Sequence, residues 1–164
     1  MKRSIRALIF DAGNTLLRIN YAAIAEQLGL HGIRKSHEAV AQAEYRARVR
    51  LDPHLAPGSS TESRSVAGYY FRYVLEELGI TDPDTVQAVA EWRKEYNLPV
   101  GLWHIPDPEA ETALRLARDA GCVAGVISNS NGSVRSILEE TGLAAHLHFI
   151  LDSAVVGVEK PDPR

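Results

Sequence analysis

The stretch that decides the fold reads ALIFDAGNT and runs from Ala7 to Thr15. Four apolar residues lead directly into a carboxylate, Asp11, which is the pattern of a buried strand that stops at a polar residue. Ligands of open α/β sheets bind beyond the carboxyl ends of the strands, so this pattern places Asp11 at a ligand-binding edge. A first strand that ends in Asp also occurs where the carboxylate binds a metal or a ribose, or caps a turn. The role of Asp11 therefore depends on which residues other strands bring to the same edge.

A second apolar run, from Cys122 to Ile127, ends in Ser128 and Asn129. The turn formed by residues 130–132 follows and leads into a helical pattern. A hydroxyl group and several backbone N–H groups therefore lie between a strand end and a helix start, which predicts a cradle for an anion. Asn129 either contacts the anion or closes the turn. Thr15, in the first stretch, likewise either contacts the anion or caps the turn.

A third apolar run, from Phe149 to Leu151, precedes the stretch GVEKPDP, Gly157 to Pro163. Two prolines interrupt regular structure there and leave Lys160 on a loop. From this loop a compact positive charge can reach the edge that carries Asp11 and Ser128. The sequence thus predicts a carboxylate, a hydroxyl and an ammonium group at one edge of a sheet.

The ordered set Asp11, Ser128 and Lys160 resembles the haloacid dehalogenase superfamily of hydrolases. FDAGNTL looks like the first sequence motif of that family, VISNSNG like the second and GVEKPDP like the third. The resemblance covers nearly the whole chain. It implies an α/β fold with a doubly wound parallel sheet, a Rossmann-like core and an inserted helical cap.

The resemblance also implies a role for each residue of the set. Asp11 would be the nucleophile, Ser128 would hold the oxygens of the transferred group, and Lys160 would neutralise the nucleophile and the bound anion. Mg²⁺ would be bound by Asp11 and the main-chain carbonyl of Gly13. These residue types suit the chemistry, because a carboxylate that attacks an anionic phosphoryl group needs cations beside it. We therefore expect a hydrolase that acts on a small phosphorylated metabolite with Mg²⁺.

Gly13 departs from the pattern of most phosphatases of this family, which carry a second Asp at that position as general acid and base. Such catalysis typically contributes about 10²–10⁴-fold to the rate, so fast phosphomonoester hydrolysis is not expected. Branches of the family that cleave carbon–halogen or carbon–phosphorus bonds also lack this Asp. A 2-haloacid dehalogenase, a phosphonatase-type hydrolase and a non-catalytic phosphate-binding relative are therefore open alternatives.

Between the first and second motifs, the hydrophobic period changes to that of helices. Four helical patterns and no strand predict a helical bundle over residues 17–96, inserted into a core formed by residues 1–16 and 97–164. The resemblance implies that this bundle is a cap, which closes over the nucleophile and excludes water as a lid does.

The family's fourth motif, an acidic pair that completes the Mg²⁺ site, would follow the GVEKPDP stretch after one more helix, whereas the sequence ends at Arg164. We therefore expect the chain to be a fragment of a longer protein and to be inactive by itself. Without further strands, the run from Ala7 to Phe10 would lie at the edge of the sheet, where two copies could pair as a homodimer.

Composition narrows the range of partners. The net charge of −3 offers no basic field for nucleic acid. No stretch reads as a signal peptide or a membrane-spanning helix, so we expect a cytoplasmic protein whose partner is a small-molecule substrate. Cys122 is the single cysteine, which excludes a disulfide within the chain.

Overall fold

The computed structural model describes residues 5–51, 64–96 and 100–164. The chain divides into two compact units, one formed by Met1–Ile19 with Pro99–Arg164 and the other by Asn20–Leu98. They are named the sheet unit and the helical unit. In chain order the elements are β1 (Ala7–Phe10), β2 (Leu17–Ile19), α1 (Tyr21–Leu30), α2 (His37–Leu51), α3 (Arg64–Glu77), α4 (Pro83–Tyr96), β3 (Trp103–Pro106), α5 (Ala110–Asp119), β4 (Val123–Ser128), α6 (Val134–Glu140), β5 (Phe149–Asp152) and α7 (Ser153–Val156).

A three-stranded parallel sheet in the order β1-β4-β5 forms the centre of the sheet unit. Phe10 at the end of β1 lies opposite Val126, and Ser128 at the end of β4 lies opposite Asp152. Because the pairs are parallel, the carboxyl ends of all three strands meet at one edge of the sheet. The predicted α/β class with a parallel sheet is confirmed.

The core of the sheet unit lies between one face of this sheet and the helices α5 and α6. Alternate residues of the strands point towards it, so that Ala124 and Val126 are fully buried, as the two-residue period of a strand requires. The buried cluster comprises Ala12, Leu16, Leu17, Ala110, Leu114, Ala117, Ala124, Val126, Val134, Ile137, Leu138, Leu143 and Ile150.

On the other face of the sheet, Gly125 of β4 lies opposite Phe149 of β5. The Phe149 ring occupies the space in which a Cβ atom at residue 125 would lie. A glycine at this position therefore allows the ring to lie against the backbone of β4.

A second, two-stranded sheet pairs β2 with β3 in the antiparallel direction. The sequence predicted no strand within residues 17–96, and that prediction is wrong at its first three residues. Leu17 and Ile19 are buried while Arg18 is exposed, an alternation too short to be recognised without its partner strand. The helical unit accordingly begins at Asn20. The other predicted boundary adjoins residues 97–99, which lie outside the described residues.

The helical unit consists, in its described residues, of the four helices α1 to α4. They correspond to the four helical patterns of the sequence, and α2 and α3 pack along each other. The fully or almost fully buried apolar residues include Ile24, Leu28, Val40, Ala43, Ala47, Val74, Leu75 and Val89. No described helix of either unit has both the length and the apolar character needed to cross a bilayer.

A carboxylate is buried in the helical unit. Glu44 of α2 is completely buried and accepts hydrogen bonds from the hydroxyl groups of Tyr70, at 2.6 Å, and Tyr21, at 3.3 Å. One turn further along α2, Nε of Arg48 lies 2.9 Å from the same carboxylate. Because a buried charge is stable only when it is paired and hydrogen-bonded, these three side chains allow Glu44 to stay in the core.

Candidate active site

Asp11 lies directly after β1, at the edge where the parallel strands end. Its side chain is 51% exposed, and its Oδ1 accepts a hydrogen bond from the N–H group of Ala12 at 2.7 Å. The same oxygen lies 3.1 Å from Nζ of Lys160. The structure therefore brings the predicted carboxylate and the predicted ammonium group into contact.

Lys160 lies on the loop that follows α7. Its side chain contacts a second group besides Asp11. Its Nζ donates a hydrogen bond to the carbonyl oxygen of Ile127 in β4 at 2.9 Å. An ammonium group has three donors, so it can serve this carbonyl and Asp11 together. The side chain is still 40% exposed, which leaves its positive charge accessible at the edge of the sheet.

Asn129, the residue after β4, holds the backbone of Lys160. Its Oδ1 accepts a hydrogen bond from the N–H group of Lys160 at 2.8 Å, and its Nδ2 donates one to the carbonyl oxygen of Lys160 at 3.0 Å. The sequence suggested that Asn129 contacts the anion or closes a turn. Both observed bonds instead reach a residue 31 positions further along the chain, which no local pattern indicates.

Ser128 is the last residue of β4 and is almost completely buried, with 5% of its surface exposed. Its hydroxyl group lies 3.5 Å from the carbonyl oxygen of Asn129, which is at the long limit for a hydrogen bond. The contacts that join Asp11, Lys160 and Asn129 do not include this hydroxyl. Ser128 is nevertheless at the same strand end, because it directly follows Ile127.

The turn after β1 is closed by backbone hydrogen bonds. The N–H group of Asn14 donates to the carbonyl oxygen of Leu17 at 2.7 Å, and the N–H group of Thr15 donates to that of Ala12 at 3.3 Å. Asn14 has a φ of 55°, a left-handed conformation that Asn tolerates better than most residues. Thr15, a predicted anion contact, is exposed in this turn. The Asp11–Lys160–Asn129 contacts do not include it.

Gly13 lies beside the indole ring of Trp103. A Cβ atom at residue 13 would be 3.5 Å from Cδ1 and 3.7 Å from Nε1 of that ring, which is ordinary van der Waals contact. An aromatic side chain therefore borders the position two residues after Asp11. No sequence pattern indicates this neighbour, because the two residues meet through the pairing of β2 with β3.

The loop between β4 and α6 is not an open anion cradle. The N–H groups of Gly132 and Val134 donate to the carboxylate of Asp152, at 3.1 and 3.2 Å. The N–H group of Ser130 donates to Oγ of Ser153 at 3.0 Å. The predicted cradle is wrong for these three groups, because residues at the end of β5 already accept their hydrogen bonds. Asp152 ends its apolar run as Asp11 does, which is the signal that could have revealed it.

A metal ion at this edge would find few protein ligands. Within residues 5–51, 64–96 and 100–164, no group of three or more His, Cys, Asp and Glu side chains is arranged to hold a metal ion. Asp11 supplies one carboxylate, and the carbonyl group of Gly13 is two residues away. Mg²⁺ often binds through one or two carboxylates, water and substrate phosphate. The donor set fits Mg²⁺ bound in that way.

The fold and this edge together define a class of α/β protein that places a carboxylate after its first strand and fixes a lysine beside it. The family model of the haloacid dehalogenase-like hydrolases matches residues 5–164. The chain belongs to this family, and the resemblance inferred from the three motifs is confirmed.

Several curated proteins are similar in sequence. Haloacid dehalogenase-like hydrolase domain-containing protein 3 of Homo sapiens is 32% identical over 170 residues, which cover 98% of this chain and 66% of that protein. The protein of the same name from Bos taurus is 30% identical over 167 residues, with the same coverage. The chain thus spans slightly less than two thirds of the length of these relatives. The phosphoserine phosphatase of Thermus thermophilus is 36% identical over 97 residues, 57% of this chain and 36% of that enzyme.

Solved structures share the fold. A hydrolase from Streptococcus pneumoniae TIGR4 has a TM-score of 0.53 and 26% identity, covering 94% of this chain and 70% of that one. The HAD-hydrolase YfnB from Bacillus subtilis, a structure described as bound to magnesium, has a TM-score of 0.57 and 18% identity, covering 97% and 68%. At 18% identity, the likeness to YfnB supports the fold alone.

Proposed function

We propose that the chain carries the site of a Mg²⁺-dependent hydrolase in which Asp11 is the nucleophile towards a small phosphorylated metabolite. The observation that carries this proposal is the contact between Asp11 and Lys160 at 3.1 Å, at the end of the first parallel strand. The similarity to a phosphoserine phosphatase supports a phosphate ester as the substrate class.

The reaction has two displacements. The Asp11 carboxylate attacks phosphorus and forms an acyl phosphate, while the bond to the ester oxygen breaks and the alcohol leaves with a proton from solvent. Water then cleaves the acyl phosphate, which restores the carboxylate and releases inorganic phosphate. Lys160 offsets the charge of the nucleophile and of the phosphoryl oxygens in both steps.

In this proposal Asp11 and the carbonyl group of Gly13 would hold Mg²⁺, and Ser128 and Thr15 would contact the phosphoryl oxygens. A bound Mg²⁺ would supply positive charge that stabilises the charge developing on those oxygens. Asn129 is not assigned a substrate contact, because both ends of its amide group are bonded to the backbone of Lys160.

Hydrolysis at carbon, as in a 2-haloacid dehalogenase, is a second candidate. Gly13 supplies no general acid for an alcohol leaving group, and its neighbour at this position is the indole ring of Trp103. A halide needs no proton to leave, and an apolar wall suits it better than a carboxylate would. Halide release from 2-haloacids in the presence of EDTA would support this candidate over the first.

The test of the proposed function is phosphate release by the full-length protein from a panel of small phosphomonoesters, with added Mg²⁺ and with EDTA. We expect Mg²⁺-dependent turnover, which falls to below about one hundredth in Asp11→Asn because a carboxamide is not an effective nucleophile. Asp119→Asn is the matched control, since Asp119 is an exposed carboxylate of α5 paired with its neighbour Arg118. Asp11→Asn activity above a few per cent of wild type would contradict the assignment.

A further inference from the structure

We propose that Asn129 is a positioning residue, which sets the Lys160 ammonium group against Asp11 by holding the Lys160 backbone. The two hydrogen bonds between the Asn129 amide and Lys160, at 2.8 and 3.0 Å, use an acceptor and a donor of one planar group. Such a pair fixes the orientation of the partner as well as its distance, because both bonds must keep their geometry at once.

The loop around Lys160 has no regular secondary structure that could hold the Lys160 backbone in place. α7 ends at Val156, Gly157 follows with a φ of 74°, and no further helix or strand is formed up to Arg164. Within the loop, the N–H group of Asp162 donates to the carbonyl oxygen of Glu159, which closes a turn but gives no bond to the sheet. The backbone position of Lys160 relative to the strands therefore depends strongly on Asn129.

Residues at the end of β4 hold both the side-chain nitrogen and the backbone of Lys160. The carbonyl group of Ile127 holds Nζ, and Asn129, two residues later, holds the backbone of Lys160. Lys160 and β4 are thus connected at both ends of a flexible four-carbon side chain. Asp11 meets Nζ as the third point of this arrangement, at the end of the neighbouring strand β1.

The consequence is that the amide at residue 129 acts on the reaction through Lys160. A flexible ammonium group that can leave Asp11 is a poor electrostatic stabiliser, since preorganised charge is what lowers a barrier. Asn129 removes this freedom. Its contribution should appear as a property of Lys160, even when no substrate is present.

The reactivity of Lys160 towards an amine-acylating reagent tests this directly. Asn129→Ala removes both hydrogen bonds to Lys160. We expect Lys160 to be acylated at least about fivefold faster, the factor that corresponds to about 1 kcal/mol for one of the two bonds. Lys35 and Lys94 of the helical unit are internal references, and mass spectrometry of peptides gives the three rates. Asn131→Ala is the matched control, because the Asn131 side chain bonds to Ser133 and not to Lys160.

Asn129→Leu is the second variant, because it keeps the approximate size of Asn129, adds no charge and removes both the donor and the acceptor of the amide group. Circular dichroism must show that each variant is folded. If Lys160 reacts at the wild-type rate in both variants, the proposal is wrong. If Lys35 and Lys94 become faster by the same factor as Lys160, the effect is general loosening of the fold and the proposal is also wrong.

The kinetic part of the inference rests on the proposed function. In Asn129→Ala we expect kcat for a phosphomonoester to fall about 10- to 100-fold while KM changes much less, as for a misplaced catalytic group. A change in KM alone would overturn the positioning role in favour of a direct substrate contact. If the wild-type protein hydrolyses no phosphate ester, the proposed function fails, whereas the acylation rates still decide whether Asn129 positions Lys160.

Discussion

At the scale of single residues, position 13 bears on the leaving group of the proposed reaction. It lies two residues after Asp11 and next to the Trp103 indole ring, where a Cβ atom would make ordinary contact at 3.5 Å. The backbone at Gly13 is also not in the left-handed region. A larger side chain is therefore compatible with the fold at this position, and a carboxylate there would be two residues from Asp11, the proposed nucleophile.

We predict that Gly13→Asp raises phosphomonoester turnover by about 10²-fold, because it supplies a group that protonates the leaving oxygen and then activates water. Phosphate release is the measurement. Gly13→Asn is the control, since it has the same size and cannot transfer a proton in this way. Equal rates for both folded variants would show that acid–base catalysis does not limit the reaction, and would favour the carbon–halogen candidate.

Single residues also show how far the sequence could predict this site. Asp11 and Lys160 were predicted to meet because each follows an apolar run, and strand ends of one parallel sheet share an edge. The roles of Asn129 and Asp152 were not predicted, because their partners are distant in sequence and contribute backbone groups. A backbone N–H group has no residue-specific signal, so the apolar run before Asp152 indicates where that carboxylate lies but not which groups donate to it.

At the scale of elements, the contact between β4 and β5 depends on the absence of one side chain. Gly125 and Phe149 are directly opposite each other, and the ring fills the position of the missing Cβ. Cross-strand pairs of this kind stabilise a sheet through side-chain packing. The two strands end in Ser128 and Asp152, so their separation affects the candidate site.

We predict that Gly125→Ala lowers the free energy of unfolding by about 1–3 kcal/mol, the usual cost of an overpacked contact. Urea unfolding followed by circular dichroism measures the change. Gly125→Ala combined with Phe149→Leu should recover part of the loss, because the smaller side chain leaves room for the methyl group.

The matched control is Gly29→Ala in α1, where a Cβ atom would meet nothing within 4 Å and φ is not positive. This change should stabilise the protein by about 0.5–1 kcal/mol, since alanine is the better helix former. A stabilising Gly125→Ala would show that the Phe149 ring moves away without cost.

Elements differ in how well a sequence reveals them. The parallel strands and the four helices of the helical unit have periods long enough to be recognised. β2 has three residues, and its alternation is meaningful only once β3 lies beside it. β2 can therefore be recognised only together with its partner strand β3.

At the scale of the whole molecule, stability at high pH depends on two phenol groups of the helical unit, the buried Tyr70 and the half-buried Tyr21. Burial, and then the charge of Glu44, raise the pKa of Tyr70 and of Tyr21 above the ordinary value. Both groups must stay neutral in the folded protein, whereas in the unfolded chain they lose their protons near pH 10. Their contribution is complete below about pH 10 and is lost as the pH rises above it.

We predict that the free energy of unfolding falls above about pH 10, and that the fall is smaller in Tyr70→Phe by up to about 1.4 kcal/mol per pH unit. At neutral pH the same variant should be less stable by about 1.5–3 kcal/mol, because Glu44 loses a hydrogen bond to a charged group. Urea unfolding at several pH values measures both effects.

Tyr45→Phe is the control for this prediction, because Tyr45 is exposed and the chemical change is the same. Its stability at neutral pH should remain within about 0.5 kcal/mol of wild type. If the pH dependence of Tyr70→Phe matched that of wild type, the buried phenol groups would not be responsible for the alkaline loss.

The strand order β1-β4-β5 also determines the order in which the parts of the candidate site are synthesised. β1 ends at Phe10 and its neighbour β4 begins at Val123, so about 110 residues are synthesised between them. At about 5–20 residues per second, the nascent chain carries the first strand without a parallel neighbour for between about 5 and 20 seconds. Residues 20–98, which form one continuous unit, emerge within that interval and can fold during it. Asp11 is thus made before the helical unit, and Lys160, which contacts it, is made after that unit.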